Sequence, residues 1–123
     1  MYRIVHFDLQ ADDPERALAF YGDVFGWRSE KWDGAPVDYW LITTGPENEP
    51  GINGGLAPRR QGTPPTVNTV EVPSVDEFIG KIESAGGKAL SAKMAIPGVG
   101  YMVHCLDTEG NAFGIFQNDP SAA

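Results

Sequence analysis

The feature that most constrains this chain is an internal repeat with an offset of 61 residues. Asp13 and Ser74 are both typical of helix N-termini, and Gly26 and Gly87 are both typical of helix ends. The same offset relates both pairs, so two independent landmarks agree. A chain of 123 residues has the length of one domain. The repeat therefore predicts a single domain, residues 1–123, built from two similar modules.

The first module begins with a strand and a helix. Tyr2–Ala11 partly alternates between apolar and polar residues, which is typical of a strand. Asp13 followed by Pro14 predicts a helix start, and Gly26 predicts its end. Apolar residues recur between them at helical spacing: Ala17, Phe20, Tyr21, Val24 and Phe25.

The second module repeats this plan. Thr66–Val72 alternates as a strand, and Ser74 and Glu77 have capping-box spacing. The apolar positions of the predicted helix are Phe78, Ile79, Ile82 and Ala85, and Gly86 and Gly87 end it.

Three further strands are predicted after each helix, separated by Gly- and Pro-rich turns, of which Asp33–Pro36 is the first. The fold class is therefore α+β, with two tandem βαβββ modules at residues 1–60 and 66–119 and a linker at 61–65. One helix covers only one face of each sheet, and the two uncovered faces are expected to form an open, cup-shaped sheet. The six strands are predicted at 27–32, 37–44, 52–57, 88–92, 100–105 and 112–117.

Charge and apolar content exclude several classes of protein. The net charge is −8, which disfavours nucleic-acid binding because phosphates require a basic surface. No apolar run approaches the 18 residues of a membrane span, and no signal peptide is evident, so we expect a cytoplasmic protein. The single cysteine, Cys105, excludes an internal disulfide and a multi-cysteine zinc site.

Several segments resemble the vicinal oxygen chelate superfamily, which includes glyoxalase, bleomycin-resistance and extradiol-dioxygenase-like proteins. The resemblance is to the small two-repeat members described as related to lactoylglutathione lyase, and it covers nearly the whole chain. The segments that carry it are His6 in the first strand, DDPERALAFYGDVFGW (12–27), VPSVDEFIGKIESAGGKAL (72–90) and DTEGNAFGIFQ (107–117).

The resemblance implies a divalent metal held by residues of the first and last strands of each module. His6 matches one ligand position, whereas the other positions fall on Val67, on Gly114 and within Asn53–Gly55. Valine and glycine side chains cannot bind a metal, and one histidine is too few ligands for a retained ion. We therefore expect no cofactor, with His6 as a metal ligand only if a divalent metal is present.

Three residues are candidates for acid–base chemistry. His6 is a candidate because histidine side chains commonly serve as general acids and bases, and strand alternation places Asp8 on the same face. The repeat offset adds Val67, Thr69 and Glu71 to that face. The catalytic candidates are therefore His6, Asp8 and Glu71. The alternative interpretation is that His6 has a structural role only and that the two acids are simply solvated.

The later strands supply candidates for substrate binding. Either His104 or Cys105 faces the cup, since consecutive strand residues point to opposite faces, and Cys105 is expected to be a buried apolar residue. Some of the strand aromatics Trp32, Tyr39, Trp40, Tyr101 and Phe116 should line the cup. The predicted binding residues are Trp40, Thr69, Tyr101, His104 and Phe116.

These observations favour a protein that binds a small, partly apolar molecule without the metal, either to sequester it or to perform acid–base chemistry. One alternative is a metal-dependent lyase or dioxygenase in which His6 recruits other donors such as Glu71. Another is a partner-binding module whose cup is vestigial. True glyoxalase chemistry is disfavoured because it needs a metal to stabilise an enediolate. The resemblance also implies a homodimer.

Overall fold

The structure is a computed structural model that describes residues 1–34 and 37–123. Within these ranges the chain forms nine β-strands and two α-helices, so the predicted α+β class is confirmed. The chain divides into two compact units. The first unit holds residues 6–67, and the second holds residues 68–123 together with residues 1–5. No helix in the described ranges is long and apolar enough to cross a membrane.

The elements follow the predicted order except for one additional strand in the second half of the chain. In the first half of the chain they are β1 (Ile4–Ala11), α1 (Pro14–Phe25), β2 (Arg28–Lys31), β3 (Trp40–Thr43) and β4 (Asn53–Pro58). In the second half they are β5 (Thr66–Glu71), α2 (Val75–Ser84), β6 (Lys88–Ala89), β7 (Met94–Ile96), β8 (Gly100–Leu106) and β9 (Ala112–Asn118).

Both helices start where predicted, and α1 also ends where predicted, whereas α2 ends at Ser84 with Ala85 as its C-cap, just before the predicted Gly86 and Gly87. The Asp13 side chain accepts a hydrogen bond from the Arg16 amide (3.1 Å), and the Ser74 side chain accepts one from the Glu77 amide (3.2 Å). These bonds satisfy amides that the first helical turn leaves without a backbone acceptor. Gly26 ends α1 in the left-handed conformation (φ 74°), which glycine adopts without a steric penalty.

The strands of the first unit lie in the order β2-β3-β4-β1, with β1 and β4 parallel. One face of this sheet packs against α1. The buried residues there are Ala11, Ile42 and Leu56, and the partly buried apolar residues around them include Phe7, Leu9, Ala17, Leu18, Trp27 and Trp40.

The strands of the second unit lie in the order β5-β9-β8-β6, and β7 also pairs with β8. Its core forms in the same way as the core of the first unit, because one face of its strands packs against α2. The buried residues are Val72, Val75, Val103, Cys105 and Ile115.

The second unit departs from the prediction after α2. The strand expected at 88–92 ends at Ala89, because the Ser91 hydroxyl replaces a backbone group as the partner of the His104 amide (3.1 Å). The additional strand β7 then forms a hairpin with β8 through a turn at Gly98. In the first unit, residues 35 and 36 of the predicted Asp33–Pro36 turn lie outside the described residues.

Candidate functional site

The candidate site lies on the face of the first unit that points away from α1. Phe7 and Leu9 of β1 pack toward α1, so the alternation of the strand turns His6 and Asp8 to the opposite face. Gly55 of β4 is the register partner of Asp8 and belongs to the same face. Two of the three catalytic candidates predicted from the sequence are therefore neighbours in the fold.

His6, Asp8 and Tyr39 form a connected polar cluster. The Tyr39 hydroxyl donates to Asp8 Oδ1 at 2.6 Å, and His6 Nε2 lies 2.9 Å from the Tyr39 oxygen and 3.2 Å from Asp8 Oδ1. The side chains of His6 and Asp8 are 31% and 26% exposed. The cluster is therefore ordered by its own hydrogen bonds yet open enough to meet a ligand.

The hydrogen bonds assign the proton of the His6 ring. A phenol carries one proton, and that of Tyr39 is donated to Asp8. Tyr39 can then only accept from His6, so Nε2 is the nitrogen that carries hydrogen and donates. In the neutral ring this leaves Nδ1 as the basic nitrogen. The arrangement fixes the ring in one tautomer and makes Nδ1 the atom able to accept a further proton.

Tyr39 remains a neutral donor under ordinary conditions. Burial raises the pKa of its hydroxyl far above the ordinary value, and the negative charge of Asp8 and the hydrogen bond to it act in the same direction. The phenol therefore keeps its proton on the Asp8 side throughout the pH range in which histidine titrates.

Gly55 makes room for Tyr39. A Cβ atom at this position would overlap the hydroxyl and ring carbons of Tyr39, so the phenol lies against the backbone of β4. The Trp32 ring meets the Tyr39 ring edge to face, with centroids 6.1 Å apart. Tyr39 is thus held between a backbone without a side chain and an aromatic ring.

Tyr39 is one of the strand aromatics but not one of the predicted site residues. The alternation of the strand that follows Tyr39 indicates which face of the sheet Tyr39 lies on. Trp40 and Ile42 face the core, so alternation assigns Tyr39 and Leu41 to the other face, together with His6. The contact with Asp8 also depends on the register of β4 and the absence of a side chain at Gly55, neither of which local sequence reveals.

The second unit has an equivalent face that points away from α2. Cys105 is buried against α2, so His104 belongs to the opposite face, which resolves the alternative that the sequence left open. The predicted burial of Cys105 is confirmed. Thr69, Glu71, His104 and Phe116 share this face with Gly114, as their strand register requires.

Thr69 is the most buried polar residue of this second face. Its side chain is 3% exposed, and its hydroxyl oxygen has no hydrogen-bond partner within residues 1–34 and 37–123. A Cβ atom at Gly114 would press against this hydroxyl and against Met102. Glu71, the third catalytic candidate, is exposed on the same face.

Two predicted binding residues lie on the helix-packed faces instead. Trp40 packs against the core beneath α1, and Tyr101 packs against the core beneath α2. The Lys93 ammonium also lies 4.8 Å from the centre of the Tyr101 ring. The described contacts of both aromatics are therefore those of core residues, and their binding role stays a prediction.

Comparison with known proteins agrees with the sequence motifs. Residues 3–33 match a family described as bleomycin resistance protein-like N-terminal. The fold is similar to methylmalonyl-CoA epimerase from Mycobacterium tuberculosis (TM-score 0.69, 12% identity, 95% of this chain and 88% of that one). It is also similar to a variant of the Streptomyces coelicolor methylmalonyl-CoA epimerase in complex with 2-nitronate-propionyl-CoA (TM-score 0.67, 14% identity, 98% and 97%).

A hypothetical protein from Bacillus halodurans C-125 is similar as well (TM-score 0.70, 12% identity, 99% of this chain and 98% of that one). The chain has the vicinal oxygen chelate fold. At these identities the likeness establishes the fold alone. Comparison with curated protein sequences gives no match.

The ligand positions of vicinal oxygen chelate proteins can be examined directly. Asn53 Oδ1 accepts hydrogen bonds from the Thr44 amide (2.9 Å) and hydroxyl (3.3 Å), and so it is already engaged. The space beside Gly54 is filled by Phe7 and that beside Gly55 by Tyr39. No group of three or more His, Cys, Asp or Glu side chains in the described ranges is arranged to hold a metal ion. These residues do not fit the family's divalent metal.

Proposed function

We propose that this protein binds a small, partly apolar acyl compound at the cluster of His6, Asp8 and Tyr39 and moves a proton on it. The observation that carries the proposal is the convergence of the three side chains within 3.2 Å on a partly exposed face. Asp8 and Tyr39 hold the His6 ring, and Nδ1 is the atom that acts on the ligand. A positioned histidine of this kind is the commonest general base in proteins.

The proposed step is reversible proton transfer at a carbon next to a carbonyl group. Nδ1 of His6 takes the proton from carbon, and the electron pair of the C–H bond passes to the carbonyl oxygen as an enolate. The ring becomes an imidazolium whose charge Asp8 stabilises through Nε2. Return of the proton restores both groups, so no other reactant is consumed.

The fold supports this choice of chemistry. Structures similar to this chain include methylmalonyl-CoA epimerases, some with acyl-CoA compounds bound. Interconversion of such epimers requires a proton to leave and return at one carbon. We therefore propose acyl thioesters as the first compounds to test.

We further propose that no metal takes part. A metal-dependent lyase or dioxygenase that uses His6 with donors such as Glu71 is the alternative, and it makes a separate prediction. Under that alternative, protein purified without chelator would carry stoichiometric metal that His6→Ala loses. We expect metal well below one equivalent in both proteins.

The function is tested with methylmalonyl-CoA in deuterated water. Proton NMR should show loss of the signal of the hydrogen between the two carbonyl groups faster than in protein-free buffer. Backbone amide signals of residues 6–10 and 54–57 should shift on titration. His6→Gln should abolish the exchange, whereas Ser29→Ala, an exposed change on the α1 side of the sheet, should leave it intact.

Exchange that survives His6→Gln would overturn the assignment of the base. Shifts at these amides without exchange would support binding and overturn the proton transfer. Absence of both shifts and exchange would overturn the proposal as a whole.

A further inference from the structure

The face of the second unit that points away from α2 carries two methionines opposite each other. Met94 of β7 is the register partner of Met102 of β8, so both side chains lie on the same face of the sheet. Side chains paired in this way have Cβ atoms about 4.5–5.5 Å apart. Met94 is 41% exposed, and so its thioether is accessible. Two thioethers therefore lie side by side on a partly open surface.

A histidine lies next to this pair. His104 is two residues from Met102 along β8, and a spacing of two returns to the same face of a strand. The backbone of His104 is held in place, because its carbonyl accepts from the Leu90 amide (2.7 Å) and its amide donates to the Ser91 hydroxyl (3.1 Å). The imidazole itself makes no hydrogen bond or ion pair with the residues that the structure describes. Its ring nitrogens are therefore available to a ligand.

The Met102 side chain leans toward His104. The register partner of His104 on β9 is Gly114, and a Cβ atom at Gly114 would lie 3.1 Å from Met102 Cε. The end of the Met102 side chain thus lies beside Gly114, in the row of the sheet that holds His104. Phe116, the register partner of Met102, leans the other way, because its ring lies against Gly100. The absence of a side chain at Gly114 leaves room for the thioether to approach the imidazole.

The three side chains supply two thioether sulfurs and one imidazole nitrogen. Thioethers are soft ligands that favour Cu(I), whereas Mg²⁺ and Ca²⁺ require several oxygen ligands. Glu71 shares this face of the sheet, but Phe116 lies between it and Met102 in the strand register. The set of donors therefore suits a soft monovalent ion rather than a hard divalent one.

We propose that Met94, Met102 and His104 form a binding site for Cu(I), with the two sulfurs and one ring nitrogen as its ligands. The ion is positive and the chain has a net charge of −8, so long-range electrostatics favour its approach. The proposal stands apart from the proposed function, because these residues belong to the second unit and His6 belongs to the first. It also differs from the divalent metal site of the family, whose ligand positions fall on other residues.

The test begins with an NMR titration of Ag(I), a soft monovalent ion, into protein from cells grown without added copper. The chain has three methionines and two histidines, so Met1 and His6 serve as internal controls. The methyl signals of Met94 and Met102 and the ring signals of His104 should shift together and saturate at a single equivalent. The same signals should not respond to Mg²⁺. Competition with a Cu(I) chelator under anaerobic conditions then measures the affinity for Cu(I).

Three variants remove the ligands one at a time: Met94→Leu, Met102→Leu and His104→Gln. Leucine keeps the apolar character of methionine, and the His104 ring has no hydrogen bond to lose, so we expect each variant to fold. Loss of an outer partner of a metal ligand already costs about 10–100-fold in affinity, so loss of a ligand itself should cost at least about tenfold. Lys88→Arg, an exposed change on the same face, is the matched control and should leave the Cu(I) affinity unchanged.

Absence of Ag(I)-dependent shifts at Met94, Met102 and His104 in the original chain would overturn the proposal. Shifts confined to Met1, His6 or Cys105 would also overturn it, because the ion would then bind elsewhere. Retained Cu(I) affinity in any one of the three variants would overturn the three-ligand site, since the replaced residue would not hold the ion.

Discussion

The hydroxyl of Tyr39 donates to Asp8 Oδ1 at 2.6 Å across 31 residues of sequence. This is the short distance of a hydrogen bond to a charged acceptor. It sets the orientation of the carboxylate and, through the shared contact with Nε2, that of the His6 ring. Tyr39 therefore acts as a positioning residue for the proposed base.

Replacing Tyr39 by phenylalanine should destabilise the protein. The change leaves the ring in place but removes the donor to Asp8, and loss of a hydrogen bond to a charged group costs about 1.5–3 kcal/mol. Urea unfolding measures the difference. Tyr21→Phe is the matched control, because Tyr21 contributes ring stacking on Trp27, which phenylalanine retains. If the Tyr39→Phe variant is as stable as the original chain, the hydrogen bond from Tyr39 to Asp8 is contradicted.

The raised pKa of Tyr39 predicts that the stability of the protein falls at alkaline pH. The pKa of Tyr39 is raised in the folded protein, while in the unfolded chain it stays near 10. Above pH of about 10 the unfolded state releases the proton and the folded state keeps it. The unfolded state is thereby favoured, so stability from this group is complete below that pH and falls as the pH rises. The original chain should lose stability more steeply than Tyr39→Phe between pH about 9.5 and 11, as urea midpoints would show. If stability falls equally with pH in the original chain and in Tyr39→Phe, the raised pKa of Tyr39 is contradicted.

Gly55→Ala should disrupt the cluster from the opposite side. The added methyl group would occupy the position of the Tyr39 phenol, so the ring must leave Asp8 or the strand must shift. We expect a loss of about 1–3 kcal/mol, the usual cost of overpacking. Gly80→Ala in α2 has open space around its new Cβ and should stabilise by up to about 1 kcal/mol. Similar effects of the two changes would show that the space beside Gly55 is unimportant.

The repeat is readable from sequence because its signals are local. Asp13, Ser74 and Gly26 act on amides or turns within a few residues of themselves, and the structure confirms each as a helix boundary. Alternation likewise places His6 and Asp8 on one face. These features need only the backbone geometry of one element.

The site depends on longer-range facts. Tyr39 reaches Asp8 only because the pairing of β3 with β4 brings Tyr39 to Gly55, and the pairing of β4 with β1 places Gly55 beside Asp8. Both are properties of pairing across the sheet. The short β6 is a similar case, since the hydroxyl of Ser91 competes for the amide of His104 on another strand. Periodicity in one segment carries no information on either contact.

Cys105 should be inert in the folded protein. Its side chain is fully buried, and burial followed by the nearby charge of Glu83 raises the pKa of the thiol, so little thiolate forms. Labelling with a thiol reagent near neutral pH should proceed only through unfolding, and faster in Tyr39→Phe than in Tyr21→Phe. Rapid stoichiometric labelling of the native protein would contradict the burial.

The tautomer of His6 can be read directly by NMR. The chain has two histidines, His6 and His104, and so His6→Gln assigns both rings in a long-range proton–nitrogen spectrum. At mildly alkaline pH we expect hydrogen on Nε2 of His6 and an unprotonated Nδ1, since the Tyr39 proton is committed to Asp8. Tyr39→Phe removes one acceptor of the Nε2 hydrogen but leaves Asp8 Oδ1 at 3.2 Å, so the Nε2–H form should persist with a weaker preference. If Nδ1 of His6 carries the hydrogen in the original chain, Nδ1 cannot be the proposed base.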